Sequence, residues 1–255
     1  MKARSQSLSI PKKRSKARKL RAKKAAVWTV RSAVAELRQH ADKRNVEGMA
    51  RFGIRAKNVY GVSKPGLDAI AGKIGKNHTL GRKLWETRNH DARLLGVLIS
   101  EPQEVTSGQM ERWVRDFDNW DVCDGTCCHL FVDAKPAWEK AFLWSRRKKE
   151  FEKRAGFALA AYLAVHDRAA GNTPFRKYLK AIEREAWDDR NFVRKAVNWA
   201  LRNIGKRNRA LNREAIACAG RIRQSGTRAG GWIAADALRE LRSEGVQKRL
   251  SRKGA

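Results

Sequence analysis

Past its N-terminal segment the chain carries proline at only four positions, Pro65, Pro102, Pro136 and Pro174, which lie 37, 34 and 38 residues apart. Proline fixes φ and lacks an N–H, so a helix accepts it in its first turn and not in its interior. Each of the four stands where a helix can begin: Ser63-Lys64-Pro65-Gly66, Ser100-Glu101-Pro102, Ala134-Lys135-Pro136, and Asn172-Thr173-Pro174 with Thr173 as N-cap. A breaker that recurs at this interval leaves room for two helices, the period of a two-helix solenoid repeat. Convincing alternation of apolar and polar residues is hard to find between the breakers, and no Asn-Gly or Asp-Gly pair joins two strand-like runs. Three segments, Asp91–Ile99, Lys153–Ala160 and Arg194–Leu201, repeat one pattern of basic residue, small residue and apolar stretch. The expectation is an all-α solenoid of helix pairs with a concave basic groove.

Charge defines the partner. The 57 Lys and Arg against 26 Asp and Glu give a net charge of +31. Eleven of the cations, Lys12, Lys13 and Arg14 among them, fall in residues 1–24, which hold no acid. Removing these eleven leaves +20, so the body is basic in its own right. Phosphate neutralisation with release of counterions is the usual physical reason for such a balance, and double-stranded DNA is the expected partner. No apolar run approaches the length of a membrane span, and no membrane partner is expected. Residues 1–24 have two readings. A basic, Ser-containing, acid-free segment is also the composition of an organelle transit peptide. This one lacks a clear amphipathic face and is rich in Lys as well as Arg, so a disordered DNA-binding arm is the expectation. The organisation expected is an arm over 1–24, a helical domain over 25–244 and a basic C-terminal tail over 245–255, in a monomer located in the cytoplasm with the nucleoid.

The four cysteines are Cys123, Cys127, Cys128 and Cys218. The first three share one expected helix, where pairwise bridging is awkward. With no signal-peptide core visible, a reducing compartment fits. Together with His129 they match no zinc spacing and read as small helix-core residues, so neither metal nor cofactor is expected.

Although 33% of the chain is charged, the run Gly125–Val132 contains no Asp, Glu, Lys or Arg. At its head stands Trp120-Asp121-Val122-Cys123-Asp124. On a helix, Trp120, Asp124, Cys127 and Phe131 fall on one stripe. An aspartate there is either buried at a cost or faces a cleft where a carboxylate acts. Asp121 reads as an acid at a helix start, whereas capping does not explain the pairing of Asp124 with Trp120. Arg154 has Phe157, Ala158 and Ala161 on its own helix face and therefore needs an anion, either a phosphate or a carboxylate such as Asp124. Between Phe192 and Ile204 one face is apolar, and Trp199 falls outside it, at helical spacing from Lys195 and Arg202. An indole in that company suits packing against sugar or base.

These residues resemble the AlkD-like alkylpurine DNA glycosylases, which are built from HEAT-like helical repeats. The resemblance covers most of residues 45–216. It rests on Met49-Ala-Arg-Phe52, Gly61-Val-Ser-Lys-Pro65, Leu84-Trp85, Trp120-Asp-Val-Cys-Asp124, Lys153-Arg-Ala155 and, most specifically, Phe192-Val-Arg-Lys-Ala-Val-Asn-Trp-Ala-Leu-Arg202. It implies that Trp120, Asp124, Arg154 and Trp199 line a lesion site and that Phe52 and Ser63 contact DNA. Phe52 stands where the family usually has tyrosine. The activity implied is hydrolysis of the N-glycosidic bond of cationic 3- or 7-alkylpurines in duplex DNA, without extrusion of the base. The alternative is a non-catalytic helical-repeat protein that recognises bent or branched DNA.

Overall fold

The computed structural model describes residues 27–253. Fourteen α-helices account for most of them, and there is no strand among the described residues. The first seven are α1 (Val30–Gln39), α2 (Lys43–Arg51), α3 (Lys64–Ile74), α4 (His78–Glu86), α5 (His90–Ile99), α6 (Ser107–Arg115) and α7 (Trp120–His129). The other seven are α8 (Ala137–Trp144), α9 (Glu150–His166), α10 (Asn172–Glu185), α11 (Asn191–Gly205), α12 (Arg209–Gln224), α13 (Arg228–Leu241) and α14 (Glu244–Lys253).

Local chemistry sets most of the helix starts. Side chains of Thr29, Asp42, Ser63, Asn77, Asn89, Thr106, Asn119, Asn208 and Thr227 accept a hydrogen bond from the first turn of the helix that follows. The prolines stand near helix starts as expected, with one shift. Pro65 lies in the first turn of α3, Pro102 opens a short 3-10 turn and Pro136 caps α8. α10 starts at Asn172 behind Gly171, so Thr173 lies inside the helix and Pro174 is its third residue. That position still has no intrahelical acceptor for an N–H, which is why proline is tolerated there.

From α3 onward the odd-numbered helices pack in series, α3 on α5, α5 on α7, α7 on α9, α9 on α11 and α11 on α13. α8, α10 and α12 form a second row behind them. One apolar cluster fills the space among α1, α3, α4 and α5, and a larger one runs from α4 through α13. Trp85 and Trp113 stack inside the larger cluster with centroids 4.0 Å apart. Gly156 fixes how closely α8 approaches α9, since a Cβ there would lie 2.4 Å from the backbone nitrogen of Ser145. The hydroxyl of Tyr178 donates to the Gly156 carbonyl at 2.6 Å and ties α10 to the same point.

Two expectations are corrected. Residues 245–253 are not a tail but belong to α14, because Val246 and Leu250 are buried and Gln247 donates to the Leu241 carbonyl at 2.6 Å. The stripe drawn through Cys127 and Phe131 is also broken. α7 ends at His129, Leu130 adopts φ −138°, ψ −55°, and Phe131 enters a 3-10 turn inside the core. The arm over 1–24, with Lys12, Lys13 and Arg14, lies outside the described residues.

Candidate active site

The uncharged run after Asp124 is uncharged because it is core: Thr126, Cys127, Leu130 and Phe131 are fully buried. The partly exposed stripe of α7 runs instead through Trp120, Asp124 and Cys128, one residue around from the stripe expected. The thiols of Cys123 and Cys127 face the carbonyls of Phe151 and Ala155, and burial pushes the Cys123 thiol well up.

Asp124 is gripped by Arg154 of α9. Nε donates to Oδ1 at 2.9 Å and Nη2 to Oδ2 at 2.6 Å, while Nη1 donates to the carbonyl of Phe192 on α11 at 2.7 Å. One arginine therefore joins α7, α9 and α11. The two side chains keep only 15% and 9% of their surface exposed. Burial pushes the Asp124 carboxyl above its ordinary value, and the guanidinium opposes this without cancelling it. For Arg154, burial acts downward, and the Asp124 charge outweighs it and carries the group up. A bidentate fork of this kind favours the ionised carboxylate and fixes its direction. Of the two anions open to Arg154, the Asp124 carboxylate is the one it contacts here.

Trp199 is half-buried and meets Tyr162 of α9 edge to face, with centroids 4.8 Å apart and an interplanar angle of 80°. Burial raises the Tyr162 phenol, and the neighbouring Cys128 and Asp124 add to it, so the hydroxyl stays protonated. Tyr162 is a site residue that sequence reasoning missed. Its signal is its register, eight residues after Arg154 on one helix face, the sole phenol in an alanine-rich stretch.

Trp120 donates from Nε1 to the carbonyl of Phe52 at 2.9 Å, and Phe52 itself is 72% exposed at the end of α2. The next residue, Gly53, has φ +78°, and the place of its missing Cβ is 3.0 Å from the Phe192 ring. α2 contributes no buried residue of its own, so these contacts with α7 and α11 hold its end. Beneath it lies a mainly apolar cavity of about 540 Å³, with Met49, Leu67, Leu94, Trp120 and Asp121 in its wall.

The remaining expected contacts are dispersed. Ser63 is exposed, and its hydroxyl caps α3 by accepting from Gly66 at 3.3 Å. Lys195 is exposed on α11 and pairs with no carboxylate among the described residues. Arg202 is turned away from Trp199 toward α13, where it pairs with Asp236 at 3.5 Å and with Glu240.

Stacked helix pairs that carry a carboxylate held by an arginine fork define a helical-repeat protein. The family model described as DNA alkylation repair enzyme matches residues 33–241, and the chain belongs to that family. Its backbone is similar to a solved structure described as "A new family of proteins related to the HEAT-like repeat DNA glycosylases with affinity for branched DNA structures". That similarity has a TM-score of 0.70 at 19% identity and covers 89% of this chain and 95% of the other. A comparison with curated proteins finds no significant sequence match.

Proposed function

We propose that the protein is a DNA glycosylase that hydrolyses the N-glycosidic bond of cationic 3- or 7-alkylpurines in duplex DNA, acting as a monomer without cofactor. The observation that carries this reading is the Asp124 carboxylate, part-exposed and aimed by the Arg154 fork. A purine alkylated at N3 or N7 is already a good leaving group and needs little proton donation. The rate must come from stabilising positive charge that grows on the deoxyribose as the bond breaks. A fixed carboxylate in a partly dry site does this, and it also orients the attacking water. Trp120 and Trp199 offer electron-rich faces to the cationic sugar and base. The T-shaped contact with Tyr162 fixes the angle of the Trp199 ring.

The test is release of free alkylated base from methylated duplex DNA by the purified protein, with Asp124→Asn as control. Single electrostatic groups of this type contribute roughly two orders of magnitude or more in rate, and that is the loss expected. A second reading, binding of branched or bent DNA without catalysis, is favoured by what the similar structure is described as binding. Tight binding to a four-way junction with no base released by either protein would select it.

A further inference from the structure

At the opposite end of the same helices lies a second concavity, of about 790 Å³. It is formed where α9 and α11 end, α10 and α12 begin, and α14 lies across them. Four cations reach it, Arg168, Lys206, Arg207 and Arg249. Among the described residues only Lys206 is paired, with Glu240 at 2.6 Å. Asp167, beside Arg168 in the chain, forms no ion pair among the described residues, and its carboxylate accepts from the Trp138 indole at 2.9 Å and the Ala170 N–H at 3.0 Å. Arg207 donates to three backbone carbonyls, of Ala164, Asp167 and Ala170, and lies 4.3 Å from the centroid of the Phe175 ring. Its hydrogen bonds are thus largely satisfied by neutral groups while its charge is not neutralised. Burial pushes its pKa down, and the Asp167 charge opposes this without cancelling it. The start of α10 adds to the same field, against the carbonyl ends of α9 and α11. Gly171 supplies no side-chain cap, and Asn172, the first helical residue, lines the concavity.

We infer that this pocket, completed by Arg249 of α14, is a phosphate-binding site for the DNA backbone, distinct from the Asp124 site. The inference rests on the DNA-repair reading above. α14 lies beyond the span matched by the family model, which ends at residue 241. Arg249 is the one lining residue of the pocket that comes from α14; the others lie within the matched span. Ten residues of α9 separate Arg154 from Ala164, which is about 15 Å at 1.5 Å per residue. A phosphate here belongs either to the opposite strand of the duplex at Asp124 or to a second arm of a branched substrate.

The experiment compares the parent protein with the double variant Arg168→Ala/Arg249→Ala. Both side chains are exposed and unpaired, so the fold is retained, as circular dichroism would check. A second double variant, Arg213→Ala/Arg223→Ala on α12, removes the same charge elsewhere. Affinity is measured across a salt series on a linear duplex and on a four-way junction. The pocket variant is expected to bind at least about tenfold more weakly, with a log–log salt slope flatter by about 1–2, since each neutralised phosphate contributes about 0.9. Loss on both DNAs assigns the opposite strand, and loss on the junction alone assigns the second arm. Equal losses for the two double variants, or none, would overturn the pocket while leaving the DNA-repair reading intact. Failure of the parent protein to bind either DNA would overturn both.

Discussion

Arg154 donates to both carboxylate oxygens of Asp124 and, with its third nitrogen, to the carbonyl of Phe192, so α7, α9 and α11 share one guanidinium. The arrangement makes Asp124 a fixed anion, and its consequences can be measured.

The first concerns pH. Asp124 acts only when ionised, so excision should be present above its pKa and lost as pH falls through it. Burial raises that pKa, which places the acid limb above the ordinary carboxylate range. Arg154→Ala removes the opposing charge and should move the limb to still higher pH, with Arg154→Lys partly restoring it. Single-turnover excision against pH reads this directly. A limb that stays in place in Arg154→Ala would remove Arg154 from the role of positioning partner.

The same pair should matter to folding. Deleting one partner of a buried ion pair leaves the other charge uncompensated, at about 3–5 kcal/mol. Arg154→Ala should therefore lower denaturant stability by about that amount, whereas Lys195→Ala, on an exposed side chain, should change it by less than about 0.5 kcal/mol.

Trp120→Phe keeps a ring at the site and removes the bond to the Phe52 carbonyl. Because α2 buries nothing of its own, that loss should fall on α2. Hydrogen exchange over residues 45–53 should quicken by a factor of about 5, equivalent to about 1 kcal/mol. Exchange elsewhere in α7 should be unaltered.

Gly156→Ala places a methyl group 2.4 Å from the Ser145 nitrogen, where only backbone movement can relieve the clash. A stability loss of about 3 kcal/mol is expected, from separation of α8 and α9. An unchanged melting temperature would contradict the close approach described for these two helices.

Residues 1–24 carry eleven cations. Their deletion should weaken binding to undamaged duplex and flatten its salt dependence by about 0.9 for each phosphate no longer neutralised. Single-turnover excision at saturating protein should hardly change. A fall in that saturated rate would place the segment in the active site.

Much of this architecture is legible in the chain because it is written locally. A proline has meaning by its own covalent geometry, and a Ser, Thr or Asn before a helix by its reach to the next turn, so an all-α chain of repeated helix pairs follows from residue type and spacing. The prominence of Trp120, Asp124, Arg154 and Trp199 is legible for a related reason, since each is a large or charged side chain on a face where helical periodicity expects something else. What periodicity cannot supply is the partner across a helix interface. Sequence spacing left Arg154 with two possible anions, and the packing of α9 between α7 and α11 sets it against Asp124. It also let Arg202 accompany Trp199, whereas Asp236 and Glu240 on α13 draw it away. Tyr162, the docking of Gly53 on Phe192 and the conversion of the C-terminal segment into α14 likewise depend on surfaces dozens of residues apart in the chain. Local conformation is set by covalent geometry and near-neighbour hydrogen bonds. The identity of each ionic and aromatic contact is set by which helices meet, and only the tertiary structure decides that.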